Sequence, residues 1–152
     1  MLSPLQLKGH RFTSIELHSH PKGLSQGTVE VSTQLGWARL AESPNDWRVT
    51  LRVSFGPADP KTPAPYHGTT EIVGLFTVDP AWPAAKTEEL VRVNGASLLY
   101  GAVRETLLTL TTRATHGEFL LPTLNFIDTK APAPRPAKST RPTTRKQPQA
   151  VR

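Results

Sequence analysis

NGASLLYGAVRETLLTLTTRAT, residues 94–115, has the spacing of a helix that is apolar or small on more than one side. Asn94 is a suitable N-cap. At about 100° per residue one broad face forms, and we expect it to lie on a β-sheet. The residues of that face are Leu99, Ala102, Val103, Thr106, Leu107, Leu110 and Ala114.

The opposite side of this helix is narrow and rich in small residues. It consists of Ser97, Gly101, Arg104, Glu105, Leu108 and Thr112. Gly101 costs a helix about 1 kcal/mol relative to alanine, which makes sense where another backbone approaches closely. This side therefore either contacts another copy of the helix or is an ordinary half-exposed face with one leucine.

Four stretches before the helix alternate between apolar and polar residues, as strands do. They cover residues 10–19, 28–40, 46–56 and 68–79. SPND, residues 43–46, predicts the hairpin turn between the second and the third. A short helix is expected near residues 84–91. Strands followed by helices predict an α+β domain with an antiparallel sheet.

The positive charge of the chain is concentrated at its C-terminal end. The net charge is +6, and seven of the 18 Lys and Arg residues lie in residues 129–152, which contain no acid. The rest has 11 basic against 12 acidic residues and is nearly neutral. Five prolines and no aromatic residue in the tail predict disorder. We expect a domain over residues 1–128 and a tail that is either a solubilising extension or a contact for nucleic acid or an acidic partner.

Composition excludes several classes of protein. There is no cysteine among the 152 residues, which excludes disulfides, iron–sulfur clusters, thiol catalysis and cysteine-ligated zinc. No stretch approaches the roughly 20 apolar residues of a membrane span. The N-terminus lacks the pattern of a signal peptide. We expect a soluble, cytoplasmic protein.

No constellation of residues predicts catalysis, a cofactor or a metal. Phosphate-binding loops, a GxSxG motif and a persuasive pair of carboxylates are missing. His18 and His20 have the spacing of one strand face, as two metal ligands would, but no third ligand is close and Pro21 ends the strand. We therefore expect neither an enzyme nor a metalloprotein.

Three blocks of the sequence resemble the SecB export chaperones and SecB-like proteins: VTLRVSFG, EIVGLFTVD and LLYGAVRETLLTLTTRATHGEFLLPTLNF (98–126). The family has an aromatic residue, small residues, Arg and Glu in its helix, then a Ser/Thr-Arg-Gly/Ala-Thr turn and a Leu-Pro segment that ends in Asn-Phe. The matching positions are Tyr100, Ala102, Arg104, Glu105, Thr112, Arg113, Ala114, Thr115, Leu121, Pro122, Asn125 and Phe126. The resemblance covers residues 8–128.

This resemblance implies a four-stranded antiparallel sheet backed by a long helix, and a homotetramer built as a dimer of dimers with the helices between the sheets. The oligomer interface would then include the narrow side of the helix. It also implies an ATP-independent holdase that binds unfolded polypeptides in apolar grooves, for protein export or for a dedicated client such as an antitoxin. The alternative is a nucleic-acid-binding or adaptor protein that acts through the basic tail.

The chain departs from the family in three places. The connection between the first two strands is shortened to HPKGLSQG (20–27), no second C-terminal helix follows Phe126, and the zinc-binding tail that docks on SecA has no cysteine counterpart. The resemblance therefore does not extend to binding of SecA.

The best candidates for exposed client contacts are two tryptophans. Trp37 follows Gly36 and is expected at a bulge, and Trp82 lies between two prolines. The full set of groove candidates is Trp37, Leu40, Phe76, Trp82, Phe119 and Leu120.

Overall fold

The alternating stretches form one antiparallel sheet in the computed structural model, which describes residues 1–21 and 28–128. The strands are β1 (Leu5–Ser19), β2 (Val29–Leu40), β3 (Ser43–Pro57) and β4 (Tyr66–Val78), in the spatial order β1-β4-β3-β2. Helices α1 (Ala84–Leu90) and α2 (Ala96–Thr111) follow. The prediction of an α+β fold with a four-stranded sheet and a long helix is confirmed. The expectation of a disordered tail concerns residues outside the described ranges.

Strand β3 shows why one face of the sheet is buried and the other is exposed to solvent. Its odd-numbered residues from Trp47 to Phe55 are buried, whereas Arg48 and Arg52 point to the other side and are exposed. Alternation of side chains along a strand produces this division. Burial of a large apolar side chain contributes about 1.5–3 kcal/mol, so the face with Leu51 and its neighbours anchors the helices.

The hairpin between β2 and β3 does not turn where the sequence predicts. The turn consists of residues 41 and 42, and Leu40 already pairs with Ser43. Residues 44–46 form an irregularity, because the next pair is Arg39 with Trp47. Asp46 pairs with Thr77 of β4, whose Oγ1 donates a hydrogen bond of 2.5 Å to the carboxylate. That bond, followed by one from Ser43, holds the pKa of Asp46 below its usual value.

The helix begins earlier than residue 94. A π-helical turn, Val91–Gly95, joins α1 to α2 without a break, so Asn94 lies inside the helical run and the N-cap prediction is wrong. Packing explains the difference, since Val91 and Ala96 are buried and a Cβ on Gly95 would lie 3.2 Å from Val49. Tertiary contacts thus extend the helix through a residue that favours caps.

The buried face of α2 is rotated relative to the predicted one. Leu99, Val103 and Leu107 are fully buried as expected, but Leu110 is exposed and Tyr100 is buried in its place. Gly74 of β4 lets the helix approach, because a Cβ at that residue would lie 2.8 Å from Leu99 Cδ2.

Residues 112–128 cause this rotation, since they return along α2 without regular secondary structure. Phe119, Leu121 and Phe126 are buried, and Tyr100 donates its hydroxyl hydrogen to the carbonyl of Pro122 at 2.7 Å. Burial raises the pKa of the Tyr100 phenol, against a smaller opposing effect of the Arg104 charge. The returning segment therefore covers a side of the helix that periodicity alone leaves open.

Candidate functional site

Two of the six predicted groove residues are core residues. Phe76 is 1% exposed and Phe119 is 8% exposed. The ring of Phe119 packs against Phe55 and Tyr66, with centroids 5.5 Å apart in each case. The prediction that Phe76 and Phe119 contact clients is therefore corrected, because neither presents surface to a partner.

Trp37 and Trp82 lie on the helix side of the sheet, next to α1. Trp37 pairs with Val49 in regular register, so the predicted bulge does not occur, and its Nε1 donates to the Glu88 carboxylate at 3.0 Å. Trp82 sits in the turn after β4, where its amide donates to the carbonyl of Asp79. Both rings are half-buried, as is Leu40. We name Trp37 and Trp82 the tryptophan surface.

Two indole donors near this surface have no acceptor in the described part of the chain. Trp47 Nε1 and Trp82 Nε1 are both buried and unpaired. Trp47 is core, and Arg39 of the neighbouring strand lies 5.0 Å above its ring. A buried unpaired donor costs about 1–3 kcal/mol.

The side of α2 that faces away from its own sheet is open. Ser97, Gly101, Glu105 and Thr112 are exposed there. In the described part of the chain, nothing outside the adjoining backbone of α2 lies within 4 Å of a Cβ built on Gly101. Both predicted roles of this side, contact with another copy and an ordinary half-exposed face, are compatible with this exposure.

Arg104 and Leu108 on the same side are half-buried, and Arg104 Nε donates to the carbonyl of Leu121 within its own chain at 2.9 Å. Contact between this side and another copy remains a prediction.

Four large apolar side chains on the helix side are between 46% and 58% exposed. They are Leu98, Leu110, Leu120 and Ile127. Of these four, Leu120 was among the predicted groove residues. Leu110 had been assigned to the buried face. Leu98 was missed although it lies on the narrow side of α2, three residues before Gly101, and Ile127 lies outside the helices.

The outer face of the sheet is mainly polar, with Leu75 as an exposed apolar side chain, and carries a shallow groove of about 560 Å³. Its lining includes Glu16, His18, Glu30 and His67. His18 pairs with His67 across β1 and β4, and the rings stack with centroids 5.1 Å apart. The predicted companion of His18, His20, instead hydrogen-bonds through its backbone to Pro65 and to the ring of His116.

Within residues 1–21 and 28–128, no group of three or more His, Asp or Glu side chains is arranged to hold a metal ion. In the same residues no helix combines the length and the apolar character that a membrane crossing requires.

A solved structure with a closely related fold is the Mycobacterium tuberculosis Rv1957 SecB-like chaperone in complex with a ChAD peptide from the Rv1956 HigA1 antitoxin. The two chains superpose with a TM-score of 0.61 at 16% identity, over 80% of this chain and 91% of that one. A Streptococcus agalactiae protein of unknown function reaches a TM-score of only 0.43 at 13% identity, over 78% of this chain and 97% of that one. No protein-family model and no curated protein sequence matches the chain.

The fold is therefore SecB-like, as the three sequence blocks predicted.

Proposed function

We propose that this chain is an ATP-independent molecular chaperone, a holdase that binds unfolded polypeptides in the cytoplasm. The observation that carries the proposal is the apolar surface on the helix side, where Leu98, Leu110, Leu120 and Ile127 are about half exposed. A contiguous apolar patch marks a site of protein–protein contact, and we propose that these side chains form such patches. A holdase requires only such surface, with no proton transfer and no metal.

Part of this surface would be covered by other copies of the chain. The side of α2 with Ser97, Gly101 and Glu105 faces outward, and the open space at Gly101 suits a second helix. Leu98 lies on this side of the helix, three residues before Gly101, and would be buried by it. We propose a homotetramer, a dimer of dimers, assembled through α2.

The remaining apolar surface would bind the client. Trp37, Leu40, Trp82 and Leu120 supply area that tolerates many sequences, since aromatic rings bind different apolar groups with little loss of conformational entropy. The antitoxin peptide bound to the neighbour of similar fold supports a dedicated client of that kind, with export clients as the other possibility.

The test combines solution mass with suppression of aggregation of a denatured protein, in the absence of nucleotide. A tetramer that keeps the denatured protein soluble at stoichiometric amounts is the expected result. A monomer without such activity would refute the proposal.

The basic tail favours a second function, nucleic-acid binding through phosphate contacts. Deletion of residues 129–152 separates the two functions. The holdase predicts that the shortened chain keeps its activity, whereas tail-mediated nucleic-acid binding would be lost.

A further inference from the structure

We propose that His18 and His67 form a binding site for a divalent cation of the late first transition series, namely Zn²⁺, Ni²⁺ or Cu²⁺. The two residues are direct partners in the pairing of β1 with β4 and lie at the outer face of the sheet. Both side chains are exposed, so an ion reaches them without any opening of the fold.

The two rings are close enough for both to reach one metal ion after their side chains rotate. Their centroids are 5.1 Å apart, with 18° between the ring planes. With metal–nitrogen bonds of about 2.0–2.1 Å and tetrahedral angles, two imidazoles on one ion have centroids roughly 5 Å apart. The rings stack face to face, so their in-plane nitrogens do not converge on one point in this arrangement. Opposite residues of paired antiparallel strands have Cβ atoms about 4.5–5.5 Å apart, so rotation of both side chains brings a nitrogen of each ring to one ion.

The surroundings favour a cation. The carboxylates of Glu16 and Glu30 line the same groove, and no lysine or arginine does so in the described part of the chain. Glu16 lies two residues before His18 in β1, so it belongs to the same face of the sheet. The groove of about 560 Å³ leaves room for water as further ligands.

Ligand type selects the metal. Neutral imidazole suits zinc, copper and nickel, whereas calcium and magnesium require oxygen ligands. With two protein ligands and water, the ion is exchangeable rather than structural. When bound, it joins the end of β1 to the start of β4. It does so on the face opposite to the tryptophan surface, so the site is independent of client binding.

The test uses the full chain without a histidine tag, freed of metal by a chelator and titrated separately with Zn²⁺, Ni²⁺ and Cu²⁺. Calorimetry should show one ion per chain, and electron paramagnetic resonance of the Cu²⁺ complex should show two coordinated nitrogens. His18→Ala and His67→Ala should each weaken binding by at least about tenfold, since loss of even an outer ligand partner costs about 10–100-fold. His10→Ala is the matched control, because His10 is an exposed histidine of the same strand, and it should bind as the wild type does. Mg²⁺ should not compete.

Binding that survives both substitutions is adventitious and would overturn the site, as would a Cu²⁺ spectrum with a single nitrogen. Circular dichroism confirms that the variants are folded. Suppression of aggregation should be unchanged in His18→Ala and His67→Ala, so failure of the metal site and failure of the chaperone proposal give different results.

Discussion

The two faces of the sheet differ in what covers them. The face with Val49, Leu51 and Val53 is buried beneath the helices and residues 112–128, and apolar side chains remain exposed around that layer. The opposite face, with Arg48 and Arg52, is mainly polar and meets water directly, although Leu75 beside Arg48 is 44% exposed there. The proposed self-association and client binding would therefore use the helix side, whereas the outer face would remain hydrated in an assembly.

The largest expected effect comes from two neighbouring residues of β3 that point to opposite faces. Leu51→Ala should lower the free energy of unfolding by about 2–5 kcal/mol, because it leaves a cavity in the core. Arg52→Ala should change it by less than about 0.5 kcal/mol, as is usual for surface substitutions. Denaturant unfolding of both variants measures this contrast. Equal losses would mean that the outer face is also covered.

A second test concerns the outward side of α2. Gly101→Leu should leave the helix intact or strengthen it, since leucine is the better helix former, yet it should convert a tetramer to smaller species by holding the helices apart. Light scattering measures the mass, and Gly101→Ala serves as the smaller substitution. An unchanged mass in Gly101→Leu would show that the assembly does not use this side.

A smaller effect is expected at the tryptophan surface. Trp82→Ala should weaken client binding more than it destabilises the fold, because the ring is only half-buried. Fluorescence titration with an unfolded protein, beside denaturant unfolding, gives the two quantities. Trp47→Phe is the comparison, because Trp47 is buried in the core and should show the reverse order. If Trp82→Ala lowered client affinity and the free energy of unfolding to the same extent, the Trp82 ring would belong to the core as well.

The smallest effect is a dependence of stability on alkaline pH. The pKa of Tyr100 is raised by burial from its ordinary value of 10.0, so the unfolded chain loses this proton at lower pH than the folded chain. The stabilisation is complete below the unfolded pKa and is lost as the pH rises through the folded one. Tyr100→Phe should be about 0.5–1.5 kcal/mol less stable near neutral pH, through loss of the bond to Pro122. The free energy of unfolding of this variant should also fall less steeply than that of the wild type as the pH rises into the alkaline range. Identical pH profiles would contradict this.

The sequence predicted the structure correctly where the burial of a residue depends on residues close to it along the chain. Alternation of Trp47–Phe55 with arginines predicted both faces of β3, and the blocks around VTLRVSFG and LLYGAVRE predicted the SecB-like fold. It failed at Pro44–Asp46, where turn-forming residues form a bulge because Thr77 of another strand holds Asp46. Phe76 and Phe119 were misplaced for a related reason, since an aromatic ring serves equally well in a core and in a groove.

Local order in this protein thus follows from periodicity, because the pitch of a helix and the pleat of a strand repeat every few residues. The pairing of His18 with His67, the burial of Tyr100 beneath the returning segment and the π-helical turn at Val91–Gly95 depend on residues far apart in the chain. Only the folded arrangement brings these together, since their energies come from contacts that no short window of sequence contains.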